Sequence, residues 1–183
     1  RCGLRAADHA GGQVDFDKMT VHSDFPAQPR TNPRGAAPVG MIHELPPLEA
    51  TAILFLRVWC QGGLARDTIA ADFASVTAKP KAAQALADFD ALMRLVLSQS
   101  RRTLMRHDCK CSCFGGDESA FANMIAAAAM ADADEAMLFA TTLLKAPAAY
   151  EAVRLARALA HPFLCLARNS LNPVAPVGSQ RVH

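Results

Sequence analysis

The sequence predicts an all-α protein: a single compact bundle of five or six helices with disordered N- and C-terminal arms. Three observations lead there. Alanine, the residue with the highest helix propensity, supplies 37 of the 183 residues. Apolar residues through the middle of the chain recur at three- and four-residue spacing, the period of one helix face. Aromatic residues make up only 6%, with one Trp and one Tyr, which is poor material for a β-sandwich. The length suits one domain, and a hydrophobic content of 51% is enough for one core.

Each element follows from local signals. Residues 1–45 hold Pro26, Pro29, Pro33 and Pro38 among Gly, Asn, Asp and Ser, with no sustained period, and read as a disordered or extended arm. The helical domain is expected over 46–168. Pro46 and Pro47 precede an apolar segment, 48–60, that stops at Gly62 and Gly63. It is apolar nearly all round, interrupted by Arg57, and reads as a central helix. A shorter helix is expected over 66–76. Pro80 suits the first turn of the next one, where Ala82, Ala85, Leu86, Phe89, Leu92, Met93, Val96 and Leu97 mark a face; this helix is expected to reach Met105.

A break follows at 107–116, and Asp117 reads as the N-cap of a helix over 118–131. Asp132 and Glu135 have capping-box spacing and open a helix over 133–145. Pro147 opens the last helix, which Pro162 kinks or ends near His161. Residues 169–183, with Pro173 and Pro176, read as a disordered tail. Phe55, Phe73, Phe89, Phe121, Phe139 and Phe163 fall one per helix and read as core wedges.

Composition narrows the function. A net charge of +2 is too mild for a protein that coats nucleic acid or an anionic membrane. The longest apolar runs, 53–60 and 124–131, fall far short of the roughly 20 residues that span a bilayer. No apolar stretch follows Arg1 and Arg5, so no signal peptide is read, and a reducing cytoplasmic compartment is expected. The six cysteines are therefore not presumed to be disulfides. The chain does not begin with Met; Met19 and Met41 are candidate starts. GxGxxG, Walker, HExxH and GxSxG patterns are missing, and the GGDE run at 115–118 lacks the α/β context of a nucleotide cyclase.

The chemistry concentrates at residues 107–113. His107, Cys109, Cys111 and Cys113 alternate there with polar residues. These four are the candidate metal ligands, with zinc the first candidate. A one-residue gap is tight for a mononuclear site, so the loop would have to curl, or take donors from Cys60, Cys165, His161 or Asp108. An iron–sulfur cluster fits less well, because its loop motifs space the cysteines more widely.

Thiol redox chemistry is the rival. Arg101, Arg102, Arg106, Lys110 and the N-terminus of the following helix all favour thiolate. A disulfide joining Cys109 to Cys111, or Cys111 to Cys113, would close a small, strained and easily reduced ring. The bland alternative is cysteine acting as a small hydrophobe, which suits Cys60 and Cys165 better than the loop.

The expected function is a soluble accessory or sensor protein whose loop binds a thiophilic metal or responds to thiol oxidation. No nucleophile, base and orienting group can be assembled, so no catalytic residues are assigned. One rival is a helical interaction module that binds a protein partner or itself. Another is a DNA-binding regulator. Residues 67–84 have roughly helix-turn-helix spacing, but only Lys79 and Lys81 are basic there and Asp88 and Asp90 follow. Nucleic acid and membrane are thus not expected partners. Arg101, Arg102 and Arg106 read as last-turn complements to a helix dipole, His161 as a helix-end residue, and Asp132, Asp134 and Glu135 as capping acids.

Overall fold

Proline and glycine punctuate the chain, and several of the helices begin or end at them. In a computed structural model, which describes residues 34–171, α1 spans Pro47–Gln61 with proline in its first turn. It stops at Gly62, whose φ of 68° is left-handed and open to glycine at no steric cost. The helices α2 (Ala65–Val76) and α3 (Lys79–Gln99) follow, Pro80 sitting in the first turn of α3 as expected. Then come α4 (Gly116–Ala129), α5 (Ala133–Leu143), α6 (Ala146–Ala158) and α7 (Ala160–Leu171). The Asp132 carboxylate accepts from the Glu135 backbone N–H and caps α5.

The count among the described residues is seven helices, not five or six. The difference lies at the end of the chain. α6 stops at Ala158, and Pro162 then falls in the first turn of α7, where a missing N–H costs nothing. Proline there helps start a helix instead of ending one.

Two more expectations change. α3 ends at Gln99 and not near Met105, because the chain leaves it to pair with the α5–α6 link. Arg101 N–H donates to Leu143 O at 2.9 Å and Lys145 N–H to Gln99 O at 3.3 Å. Arg101, Arg102 and Arg106 therefore lie beyond the helix and are not last-turn residues of α3. A small antiparallel sheet also joins two segments read as arm and break: β1 (Pro38–Met41) and β2 (Cys113–Gly115), with Met41 opposite Cys113. The remaining arm residues, 1–33 and 172–183, lie outside the described residues. Among the described residues no helix is long and apolar enough to cross a membrane.

One hydrophobic core runs through the bundle. Phe55, Phe73, Phe89 and Phe163, one each from α1, α2, α3 and α7, form a cluster in which every pair of rings lies 5.3–6.1 Å apart. Edge-on and tilted contacts suit the ring quadrupoles. Elsewhere the small side chains act. Ala136, Ala140, Ala149, Ala152 and Ala156 are fully buried, so α5 and α6 pack closely against their neighbours. Phe121 is buried, and Phe139 is half-buried against the core. α1 is less uniformly apolar than expected: Leu54 is exposed, and Arg57 has no exposed surface at all.

Candidate functional site

A fully buried guanidinium is costly unless every donor finds an acceptor. Arg57 meets that demand completely. Its five N–H donors make five bonds: Nε to Glu118 Oε1 at 2.7 Å, Nη2 to Glu118 Oε2 at 3.0 Å, Nη1 to the carbonyls of Asp108 (3.1 Å) and Cys111 (2.7 Å), and Nη2 to the carbonyl of Cys113 (2.7 Å). One side chain of α1 thus fixes three carbonyls of the cysteine loop and one carboxylate of α4.

Glu118 is as fully used. Besides Arg57 it accepts from Gly115 N–H (2.9 Å), His107 N–H (3.1 Å) and His107 Nδ1 (2.8 Å). A carboxylate only accepts, so Nδ1 is the protonated ring nitrogen of His107. Burial pushes the Glu118 carboxyl up, but Arg57, His107 and the Gly115 N–H outweigh it and leave the carboxyl below its ordinary value. The sign then follows. A depressed folded-state pKa stabilises the protein above the unfolded value and loses that stability as pH falls through the folded one. Wild type should therefore weaken as pH falls below about 4.3, the ordinary glutamate pKa, toward the lower folded-state value. Glu118→Gln, already weak at neutral pH, should lose less in that window. Urea midpoints at neutral and acid pH check this.

Asp117 holds the approach to the loop. Its carboxylate, nearly fully buried, takes both Nη atoms of Arg102 at 2.5 and 2.6 Å and the Met105 N–H at 2.9 Å. Asp117 is thus not the N-cap of α4, as expected; Gly115 is, with Glu118 reaching back to its N–H. Glycine is needed there because a Cβ would lie 2.6 Å from the Gly35 carbonyl oxygen.

The loop closes on itself around this anchor. Lys110 N–H donates to Asp108 Oδ1 at 2.9 Å and Cys111 N–H to Asp108 O at 3.0 Å, so Asp108 turns the chain twice over. Ile42 N–H then donates to Ser112 O, and the chain enters β2. The turn brings Cys111 Sγ and Cys113 Sγ to 2.6 Å.

The four predicted ligands are therefore divided. Cys111 and Cys113 meet, His107 turns to Glu118, and Cys109 is half-buried and close enough to Cys60 for its charge to be felt there. Among the described residues no three His, Cys, Asp or Glu side chains are grouped to hold one ion. Of the distant donors, His161 and Cys165 face each other on α7 at 3.7 Å, and Cys60 is half-buried against the core. The bond from the Cys113 thiol holds the Cys111 thiol below its ordinary pKa, while Cys113 is pushed above it: the pair gives up one proton readily and the second reluctantly. Arg57 adds a smaller pull toward thiolate at both.

Arg57, Asp117 and Glu118 were not recognised from the sequence as parts of this site. The available signal was a charge inside an apolar helix, which must have a buried partner, and two acids opening an alanine-rich helix. No known protein family, curated protein or solved structure matches the chain.

Proposed function

We propose that Cys111 and Cys113 form a thiol–disulfide redox pair, and that the protein is a redox-responsive accessory or sensor protein. The observation that carries this is the 2.6 Å approach of the two sulfurs in a loop fixed by a fully bonded arginine. The division of the other donors favours this reading over a zinc site built from all four residues. In the oxidising direction the two thiols lose two protons, and two electrons pass to a disulfide or hydroperoxide as the S–S bond forms. A dithiol reverses it.

A disulfide closed across a single residue is strained and so easily reduced. Its potential should lie above about −300 mV, the region of structural disulfides. The test is equilibration in glutathione buffers of graded potential, followed by alkylation of the remaining thiols. Wild type, Cys60→Ser, Cys109→Ser and Cys165→Ser should show one two-electron transition, and Cys111→Ser and Cys113→Ser none. Thiols at 111 and 113 that stay reduced across the series in folded protein would overturn the reading. So would stoichiometric zinc bound through them in untagged protein.

A further inference from the structure

We infer that His161 and Cys165 form half of a site for a thiophilic divalent ion, zinc first, and that a second copy of the chain supplies the other half. The placement of the two donors carries this. They stand at i and i+4 on α7, the spacing that puts two side chains on one helix face. His161 Nε2 and Cys165 Sγ lie 3.7 Å apart. Zinc bonds of about 2.0–2.1 Å to nitrogen and about 2.3 Å to sulfur, meeting at the tetrahedral angle, set two such ligands about 3.6 Å apart. The pair thus closes on one ion with almost no rearrangement. Cys111 and Cys113 differ in this respect. Two sulfurs on one zinc lie about 3.8 Å apart, and theirs are at 2.6 Å.

The donor types choose the ion. Thiolate with imidazole suits zinc and other thiophilic metals, whereas calcium and magnesium take oxygen ligands. Binding requires the Cys165 thiolate and a neutral His161 ring, so each Cys165 gives up one proton as the ion enters.

Two ligands leave a tetrahedral ion half-coordinated. Among the described residues no third His, Cys, Asp or Glu is grouped with this pair; Asp88 of α3 borders the same cleft as His161 without joining it. The pair instead faces outward. α7 turns Phe163 and Ala167 into the core and carries His161 and Cys165 on its other side, the first exposed and the second half-buried. A two-fold axis across that face sets the pair against its own copy and surrounds one ion with two sulfurs and two nitrogens. Two thiolates cancel the charge of the ion, so the junction gains none.

The test adds Zn²⁺ to the reduced, metal-free 183-residue chain, purified without an affinity tag, and measures bound metal and mass by sedimentation equilibrium. One ion per two chains is expected, in a dimer that a chelator returns to monomer. Co²⁺ in place of Zn²⁺ should give the visible bands of a tetrahedral site with sulfur ligands. His161→Ala and Cys165→Ser should each abolish the dimer with helical circular dichroism unchanged. Each should weaken binding by at least the roughly tenfold that loss of an outer-shell partner costs. Cys111→Ser with Cys113→Ser should keep both dimer and affinity. A monomer that holds one ion per chain through His161 and Cys165 overturns the role of the second copy. No binding, or binding indifferent to both residues, overturns the site and leaves the redox pair intact. Zinc held through Cys111 and Cys113 instead overturns both.

Discussion

Replacing Arg57 with methionine should destabilise the protein by about 3–5 kcal/mol, the cost of leaving a buried acid without its partner. Against a total stability of about 5–15 kcal/mol, that is a large share. Urea denaturation at neutral pH measures it. The variant leaves the Glu118 carboxylate and the carbonyls of Asp108, Cys111 and Cys113 without the guanidinium. A second change separates these effects. Arg57→Met with Glu118→Met removes the unpaired charge, a substitution that is often neutral for an isolated ion pair. Here it should remain clearly destabilising, because the three loop carbonyls and the N–H groups of His107 and Gly115 stay unsatisfied. A double variant as stable as wild type would show that Arg57 merely balances Glu118 and does not hold the loop. Arg57→Lys cannot substitute, since an ammonium lacks the planar fork that reaches four groups at once.

The second large effect lies in the aromatic cluster. Phe73→Ala should cost about 3–5 kcal/mol, the range for emptying a phenylalanine site in a packed core. Phe73 is fully buried and touches the rings of Phe55, Phe89 and Phe163, so no single neighbour can fill the space. Thermal or urea unfolding checks the magnitude. The comparison with Arg57→Met is informative. Phe73 sits in the packing of α1, α2, α3 and α7, whereas Arg57 contacts the cysteine backbone directly. Below its unfolding transition, Phe73→Ala should therefore keep the wild-type rate of Cys111 and Cys113 oxidation, and Arg57→Met should not.

The helices were legible because their boundaries are local. Pro47, Pro80 and Gly62 act within a turn of where they stand, and Asp132 caps α5 through its own neighbour Glu135. The sheet was not. β1 has four residues, two of them Pro38 and Gly40, and its partner lies more than seventy residues away, so neither segment carries a strand signature of its own. The end of α3 failed for a related reason: Gln99 and Arg101 leave the helix to bond with Lys145 and Leu143, contacts that no local spacing announces.

The site was half legible. Alternating cysteines marked the loop, because their density is chemical information in itself. What shapes the loop is Arg57, 61 residues before its carboxylate partner. An arginine in an apolar helix implies a buried acceptor set but does not say which acids or carbonyls supply it. Reading outward from the side chains alone made all four loop residues candidate ligands, with donors from elsewhere as the alternative. In the structure the backbone carbonyls turn inward to the guanidinium, and only Cys111 and Cys113 come together.

Disulfide connectivity in the oxidised protein tests this account most directly. The 183-residue chain is oxidised with a stoichiometric disulfide, free thiols are alkylated at acid pH, and peptides are mapped by mass. One intramolecular disulfide is expected, between Cys111 and Cys113, with Cys2, Cys60, Cys109 and Cys165 alkylated. A disulfide that instead joins Cys109 to either partner, or a peptide in which Cys111 and Cys113 are both alkylated after oxidation, would contradict it.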